Sequence, residues 1–212
     1  MTHANHNKPV IGIVGGIGAG KSLTGAKFAE FGCTVVSGDE IGHELLRDAN
    51  VAAEVVRQWG DGMLDADGQI DRSALGRIVF DAPREMAKLT AILHPRIRSR
   101  MAERIAAAQA DAAAVAVVVD AAVLFEAGWD DLCECVVFVD APRAVRLARV
   151  AEVRGWDETA LSKRERLQIE LDKKRQMCDY VIDNHVSDSR LSETIRQLLD
   201  RIVSARDSSK TP

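Results

Sequence analysis

Five short apolar runs recur along the chain, at Val10–Val14, Thr34–Val36, Val115–Val119, Val136–Val139 and Tyr180–Ile182, each bounded by turn-forming residues. Runs of this length without polar alternation predict strands buried on both faces, the pattern of a parallel sheet. Between and after them lie helix-period segments, from Ser22 to Phe31, Pro142 to Val153, Glu158 to Cys178 and Ser189 to Val203. Alternating strand and helix predicts a three-layer α/β domain.

The spacing is uneven. The first two runs lie about 20 residues apart and the second and third about 80 apart, far beyond an ordinary crossover. The gap predicts a helical insertion over about 40–112, made of "EIGHELL", "VAAEVVRQW", "RSALGRIVF" and a long stretch from Arg84 to Ala110, with the Gly-rich turn "WGDGMLDADGQID" inside it. Pro95 is expected to end or kink the long helix near His94, because proline removes a donor and clashes with the preceding turn. The whole reads as one domain over 10–203, with flexible tails at 1–9 and 204–212.

The first run leads directly into "GGIGAGKS", Gly15 to Ser22, which satisfies the phosphate-loop pattern and is followed at once by a helix-forming segment. Glycines let successive N–H groups turn toward an anion, and the helix adds its positive end. Gly16, Gly18, Ala19, Gly20, Lys21 and Ser22 are therefore read as nucleotide-binding. Lys21 can reach the β- and γ-phosphates of ATP, and the Ser22 hydroxyl can ligate the bridging Mg²⁺. Such a loop does not say whether the phosphate goes to water or to an acceptor.

Asp39, in "TVVSGDEIG" after the second run, falls on the carboxyl edge of the sheet, where doubly wound folds bind ligands. A carboxylate there can take the proton of an attacking hydroxyl, and it can also cap the helix that follows. Asp120, ending "AVAVVVD", can hold the Mg²⁺ shell through water or make a structural hydrogen bond. After the fourth run, Arg143, Arg146, Arg149, Arg154, Arg164 and Arg166 flank a Gly155-Trp156 break over about 145–178. A hinged basic hairpin of this kind is what a closing lid requires, with guanidinium groups brought to the transferring phosphate and water excluded. Arg149 and Arg154 are the candidates for that catalytic role.

The ordered set "IGIVGGIGAGKS", "SGDEIGHELL", "ILHPRI", "VLFEAG" and "DYVIDN" resembles the dephospho-CoA kinase family over residues 10 to 200. The resemblance implies a P-loop kinase related to nucleoside monophosphate kinases, with a nucleotide core, a helical acceptor-binding insertion and a mobile lid. It implies ATP and Mg²⁺ as cofactors and dephospho-CoA as the small-molecule partner. Gly18 to Leu23 would form the ATP phosphate loop, and Asp39 would be the base, matching the second acid of the family's Asp-Ala-Asp motif, whose first acid is Ser37 here. Asn184 would contact the nucleotide base, an ordinary strand-end turn being the other reading. His94, in the family's His-Pro pair, would line the acceptor pocket or cap a helix. Glu126 would bind substrate, within a motif where Ala122 and Val123 replace the family's proline and first leucine. Arg72, Arg96 and Arg98 are further basic groups of the insertion, and Trp59, Trp129 and Trp156 could stack on adenine or simply pack. Rival readings are a kinase for gluconate, shikimate or a nucleoside monophosphate, and a nucleotide-dependent switch that phosphorylates nothing.

Composition narrows the remaining possibilities. A net charge of −4 argues against a protein that covers a nucleic-acid backbone. The longest apolar run, Ala112 to Val119, lies between Asp111 and Asp120 and is too short to span a membrane. The opening "MTHANHNKP" lacks the features of a signal peptide, which points to the cytoplasm. The four cysteines, Cys33, Cys133, Cys135 and Cys178, lack the paired spacing of a metal site and read as small apolar residues.

Overall fold

The structure, a computed structural model, describes residues 8–80 and 82–208. Five parallel strands form one sheet: β1 (Val10–Gly15), β2 (Thr34–Ser37), β3 (Val117–Asp120), β4 (Cys135–Asp140) and β5 (Tyr180–Asp183), in the order β2-β3-β1-β4-β5. β1 is buried at every position, as a strand flanked on both edges and covered on both faces must be. The chain fills one side of β1 with β2 and β3 before it crosses to β4 and β5, so the order reverses beside β1. Ligands of open α/β sheets bind at such a reversal, outside the carboxyl ends of the strands.

One face of the sheet carries Ile11, Ile13, Val118, Val137 and Ile182. Against them pack Phe28 of α1 (Lys21–Glu30) and Leu191, Ile195, Leu199 and Ile202 of α9 (Asp188–Ser208), a stripe at helical spacing. α9 continues through Ser208, so the flexible tail expected from Ser204 is helical as far as it is described. Buried Ile202 and the pairing of Arg206 with Glu134 hold these last turns. Residues 209–212 and residues 1–7 of the expected tails lie outside the described residues. Lys8 is fastened, its Nζ donating to the carbonyls of Gln109 and Asp111, each at 2.7 Å.

Gly38–Glu103 forms a compact unit of its own, distinct from the rest of the chain. It contains α2 (Gly38–Leu45), α3 (Ala49–Trp59), α4 (Arg72–Val79) and most of α5 (Pro83–Ala110). Asp48 and Asp71 cap α3 and α4 by accepting from N–H groups of their first turns. Ile41, Val51, Val55, Leu75, Val79, Leu93 and Ile97 form its apolar interior. Trp59 is occupied structurally, its indole N–H donating to Glu85 at 2.7 Å.

Of the two outcomes expected at Pro95, the end is not seen: α5 runs through Pro95 to Ala110. Beside the proline the Arg96 guanidinium donates to the Ile92 carbonyl at 2.6 Å, supplying a donor in the turn that proline impoverishes. The segment from Glu158 to Cys178 is two helices, α7 (Glu158–Glu165) and α8 (Leu171–Gln176), instead of one. Its break at 166–170 has a tertiary cause. The Ile169 N–H donates to Glu126 at 2.9 Å, and the Gln168 side chain accepts from Lys174 at 3.4 Å.

All four cysteines are free. Burial pushes the thiols of Cys33, Cys135 and Cys178 up to about 12, and that of Cys133 upward as well.

Candidate active site

The phosphate loop joins β1 to α1 at the carboxyl edge of the sheet. Gly18 and Gly20 have φ of 78° and 89°, a region open to glycine and costly for other residues. Gly20 is also the N-cap of α1, without a side-chain cap. The helical ladder begins with Thr24 N–H donating to the Gly20 carbonyl at 3.0 Å, so the amides of the first turn lie ahead of it. Backbone donors and the helix dipole thus converge where an anion would sit. Lys21, at the start of α1, donates from Nζ to the Gly15 carbonyl at 3.3 Å, which folds its side chain over the loop. Leu23 is partly exposed on the first turn of α1.

Ser22 donates to Asp120 Oδ2 at 3.4 Å. Asp120 ends β3 in register with Ile13 of β1 and Ser37 of β2, which brings a hydroxyl and a carboxylate to adjacent strand ends. Among the described residues no group of three His, Cys, Asp or Glu could hold a metal ion. Two hard oxygen donors suit Mg²⁺ nevertheless, since that ion keeps several waters and takes the rest of its shell from substrate phosphates.

Behind the loop stand three side chains. Asn184, 2% exposed, donates from Nδ2 to the Ala19 carbonyl at 2.7 Å and to the Gly20 carbonyl at 3.4 Å. Arg149, on α6 (Arg143–Arg154), donates to the carbonyls of Ala19 at 3.2 Å, Gly18 at 3.4 Å and Asn184 at 2.7 Å. Buried Arg146 donates to the Ile17 and Ala141 carbonyls, both at 3.2 Å. Of these, the sequence singled out Arg149 and Asn184 but gave no sign of their backbone partners.

The arginines of α6 and α7 separate into classes. Arg143 pairs with Glu158 and Glu165, and Arg146 pairs with Glu165, so these two are neutralised by α7. Burial raises the Glu165 carboxyl, but hydrogen bonds from Arg146 and Arg143 outweigh it and hold it below the usual value. Arg154 and Arg164 stack on the Trp156 ring, 4.8 and 3.8 Å from its centroid, while Trp129 is buried packing.

Glu126 lies in the turn after β3. Its Oε1 accepts from Lys174 Nζ at 2.7 Å and from the Ile169 N–H, while its buried Oε2 has no hydrogen-bond partner among the described residues. Lys174 is fully buried and also donates to the Ala122 carbonyl at 3.2 Å. Sequence reasoning missed Lys174 because "LDKKRQ" reads as a solvated face and its partner is remote in the chain. Leu171, three residues earlier on α8, packs against Gly16 of the phosphate loop.

In the Gly38–Glu103 unit, Asp39 is exposed on the first turn of α2, four residues before His43. His43 Nε2 and the Arg72 guanidinium are 2.5 Å apart, and burial, then Arg72, hold the imidazole below its usual value. His94 is half-buried on α5 and lowered by burial. Arg96 pairs with Glu54 at 2.5 Å.

Residues 9–189 match the model of the family described as dephospho-CoA kinase. A dephospho-CoA kinase of Syntrophotalea carbinolica is 36% identical over 195 residues, covering 92% of each chain. One from Leifsonia xyli subsp. xyli is 38% identical over 191 residues, covering 89% of this chain and 94% of its own. A crystal structure from Thermus thermophilus superimposes with a TM-score of 0.74 at 28% identity, covering 97% of this chain and 99% of its own.

Proposed function

Because the chain belongs to the dephospho-CoA kinase family, we propose that it transfers the γ-phosphate of ATP to the ribose 3′-hydroxyl of dephospho-CoA, giving coenzyme A and ADP. The observation that carries the chemistry is the phosphate loop, with Lys21 folded over it and Ser22 facing Asp120 at the carboxyl ends of β1 and β3. A site of this composition stabilises phosphoryl charge and leaves the acceptor to be positioned by other residues.

In this reading the loop amides and Lys21 hold the β- and γ-phosphates, and Ser22 with Asp120 would hold Mg²⁺, which would supply positive charge against the phosphates. Asp39 accepts the proton of the 3′-hydroxyl as its oxygen bonds to the γ-phosphorus and the bond from phosphorus to the ADP oxygen breaks. Arg154, released from Trp156, is the lid guanidinium assigned to the transferring phosphate. His94, kept neutral by burial, lines the acceptor pocket. Glu126 is assigned to substrate binding in its own right, with Oε1 held by Lys174 and the Ile169 N–H. An acidic chain in which no described helix could cross a membrane fits a cytoplasmic enzyme of small molecules, without nucleic acid or membrane as partner.

The test is ADP release from ATP and Mg²⁺ with dephospho-CoA, gluconate, shikimate or AMP supplied separately. Turnover is expected with dephospho-CoA alone, yielding a product heavier by one phosphate. Asp39→Asn should then lower kcat far more than it weakens ATP binding. ATP binding with no stimulation by any acceptor would establish the switch in place of the kinase.

A further inference from the structure

The mechanism above uses the inner, N–H face of the phosphate loop, whereas the side chains behind it engage the outer, carbonyl face. In a trans peptide the carbonyl of one residue and the N–H of the next point in opposite directions from a rigid plane. Fixing the Ala19 carbonyl therefore aims the Gly20 N–H, and fixing the Gly20 carbonyl aims the Lys21 N–H. Asn184 Nδ2 donates to both carbonyls, at 2.7 and 3.4 Å. Two carbonyl oxygens at one amide nitrogen leave only one sensible orientation of the side chain, with its NH₂ toward the loop.

Asn184 is itself held from three directions. It directly follows β5, its own N–H donates to the Asp140 carbonyl of β4 at 2.8 Å, and its carbonyl accepts from Arg149 at 2.7 Å. Arg149 adds a second donor to the Ala19 carbonyl. A guanidinium and an amide donating to one peptide carbonyl polarise that peptide and strengthen its N–H as a donor on the far side. The fit is tight enough to dictate sequence: a Cβ on Gly20 would lie 2.1 Å from Asn184 Nδ2. Gly20 is thus required by its φ and by the amide packed against it.

We infer that Asn184, secured by Arg149, is a positioning residue that sets the direction of the Gly20 and Lys21 amides toward the nucleotide phosphates and does not read the base. This rests on the phosphate-loop reading given above.

Calorimetric titration of the full chain with ATP, GTP and inorganic triphosphate, each with Mg²⁺, separates the two roles, because triphosphate has no base. Asn184→Ala is expected to weaken all three by a common factor of about 10, with the KM for dephospho-CoA unchanged. Asn184→Asp, which sets a carboxylate against two carbonyls, should weaken them further in the same proportion. Arg149→Lys keeps Asn184 but loses the forked donor, so it should produce a smaller common loss and serves if Asn184→Ala does not fold. A changed ATP-to-GTP ratio with triphosphate binding intact would overturn the inference and restore Asn184 as a base contact. Failure of the unaltered protein to bind triphosphate or ATP would overturn the phosphate-loop reading itself.

Discussion

The phosphate loop and the Gly38–Glu103 unit present different materials. The loop offers main-chain N–H groups, aimed by Asn184 and Arg149 from behind. The helical unit offers side chains, among them exposed Asp39 and the adjoining His43 and Arg72. A backbone site is specified by where glycine must stand, which is a short local pattern. A side-chain surface is specified by which helix faces meet, and no local pattern records that.

Lys21→Ala strikes the backbone site hardest. It is expected to reduce kcat about 10³-fold while circular dichroism and melting stay close to those of the parent, as measured by ADP release beside a thermal scan. An unaltered kcat would remove the loop from the reaction.

The next effect falls on stability. Lys174→Met leaves the largely buried Glu126 side chain without its counter-ion, and urea unfolding should show a loss of about 3 kcal/mol. Adding Glu126→Leu should recover most of it, because the matched apolar pair leaves no stranded charge. If the double variant is no better than the single, the pair does more than neutralise itself.

The smallest effect separates the regions by pH. Burial lowers both His43 and His94 from their ordinary value of 6.5, with Arg72 adding to the shift at His43, and Arg47 adding while Asp39 and Glu40 oppose it. The unfolded chain therefore takes up these protons first, so their contribution is complete above 6.5 and is lost as pH falls toward the folded values. Glu165 is different. Burial raises it, Arg146 and Arg143 lower it more, and its contribution is present above 4.5 and lost only as pH falls through its depressed value. Hydrogen exchange from pH 7 to 5.5 should loosen amides of α2 and the first half of α5 before those of α6 and α7. The reverse order would mean that the histidines are not the groups responsible.

The same contrast explains what was legible beforehand. All five strands were, because a short apolar run between turn residues marks a strand even at the sheet edge, where β5 leaves Val181 exposed, and Gly15 to Ser22 was, because its glycines are demanded by backbone geometry. The passage of α5 through Pro95 was not, since proline inside a helical pattern reads as a boundary and the local donation of Arg96 to the Ile92 carbonyl leaves no sequence signal. Nor was the break between α7 and α8. "RERLQIEL" is compatible with helix, and what interrupts it is a carboxylate at Glu126, remote in sequence. Arg149 and Asn184 were legible as members of the site but not in their partners, because both donate to main-chain carbonyls, which carry no sequence signature.

The buried cysteines bear on the chemistry of the molecules handled. Dephospho-CoA and coenzyme A both end in a thiol, and thiol–disulfide exchange proceeds through the thiolate. A cysteine raised to about 12, as Cys33, Cys135 and Cys178 are, is ionised at pH 7 to roughly one part in 10⁵, against a few per cent for an ordinary thiol. Burial thus holds these thiols in the protonated form, the form that does not attack the disulfide of an oxidised substrate or product.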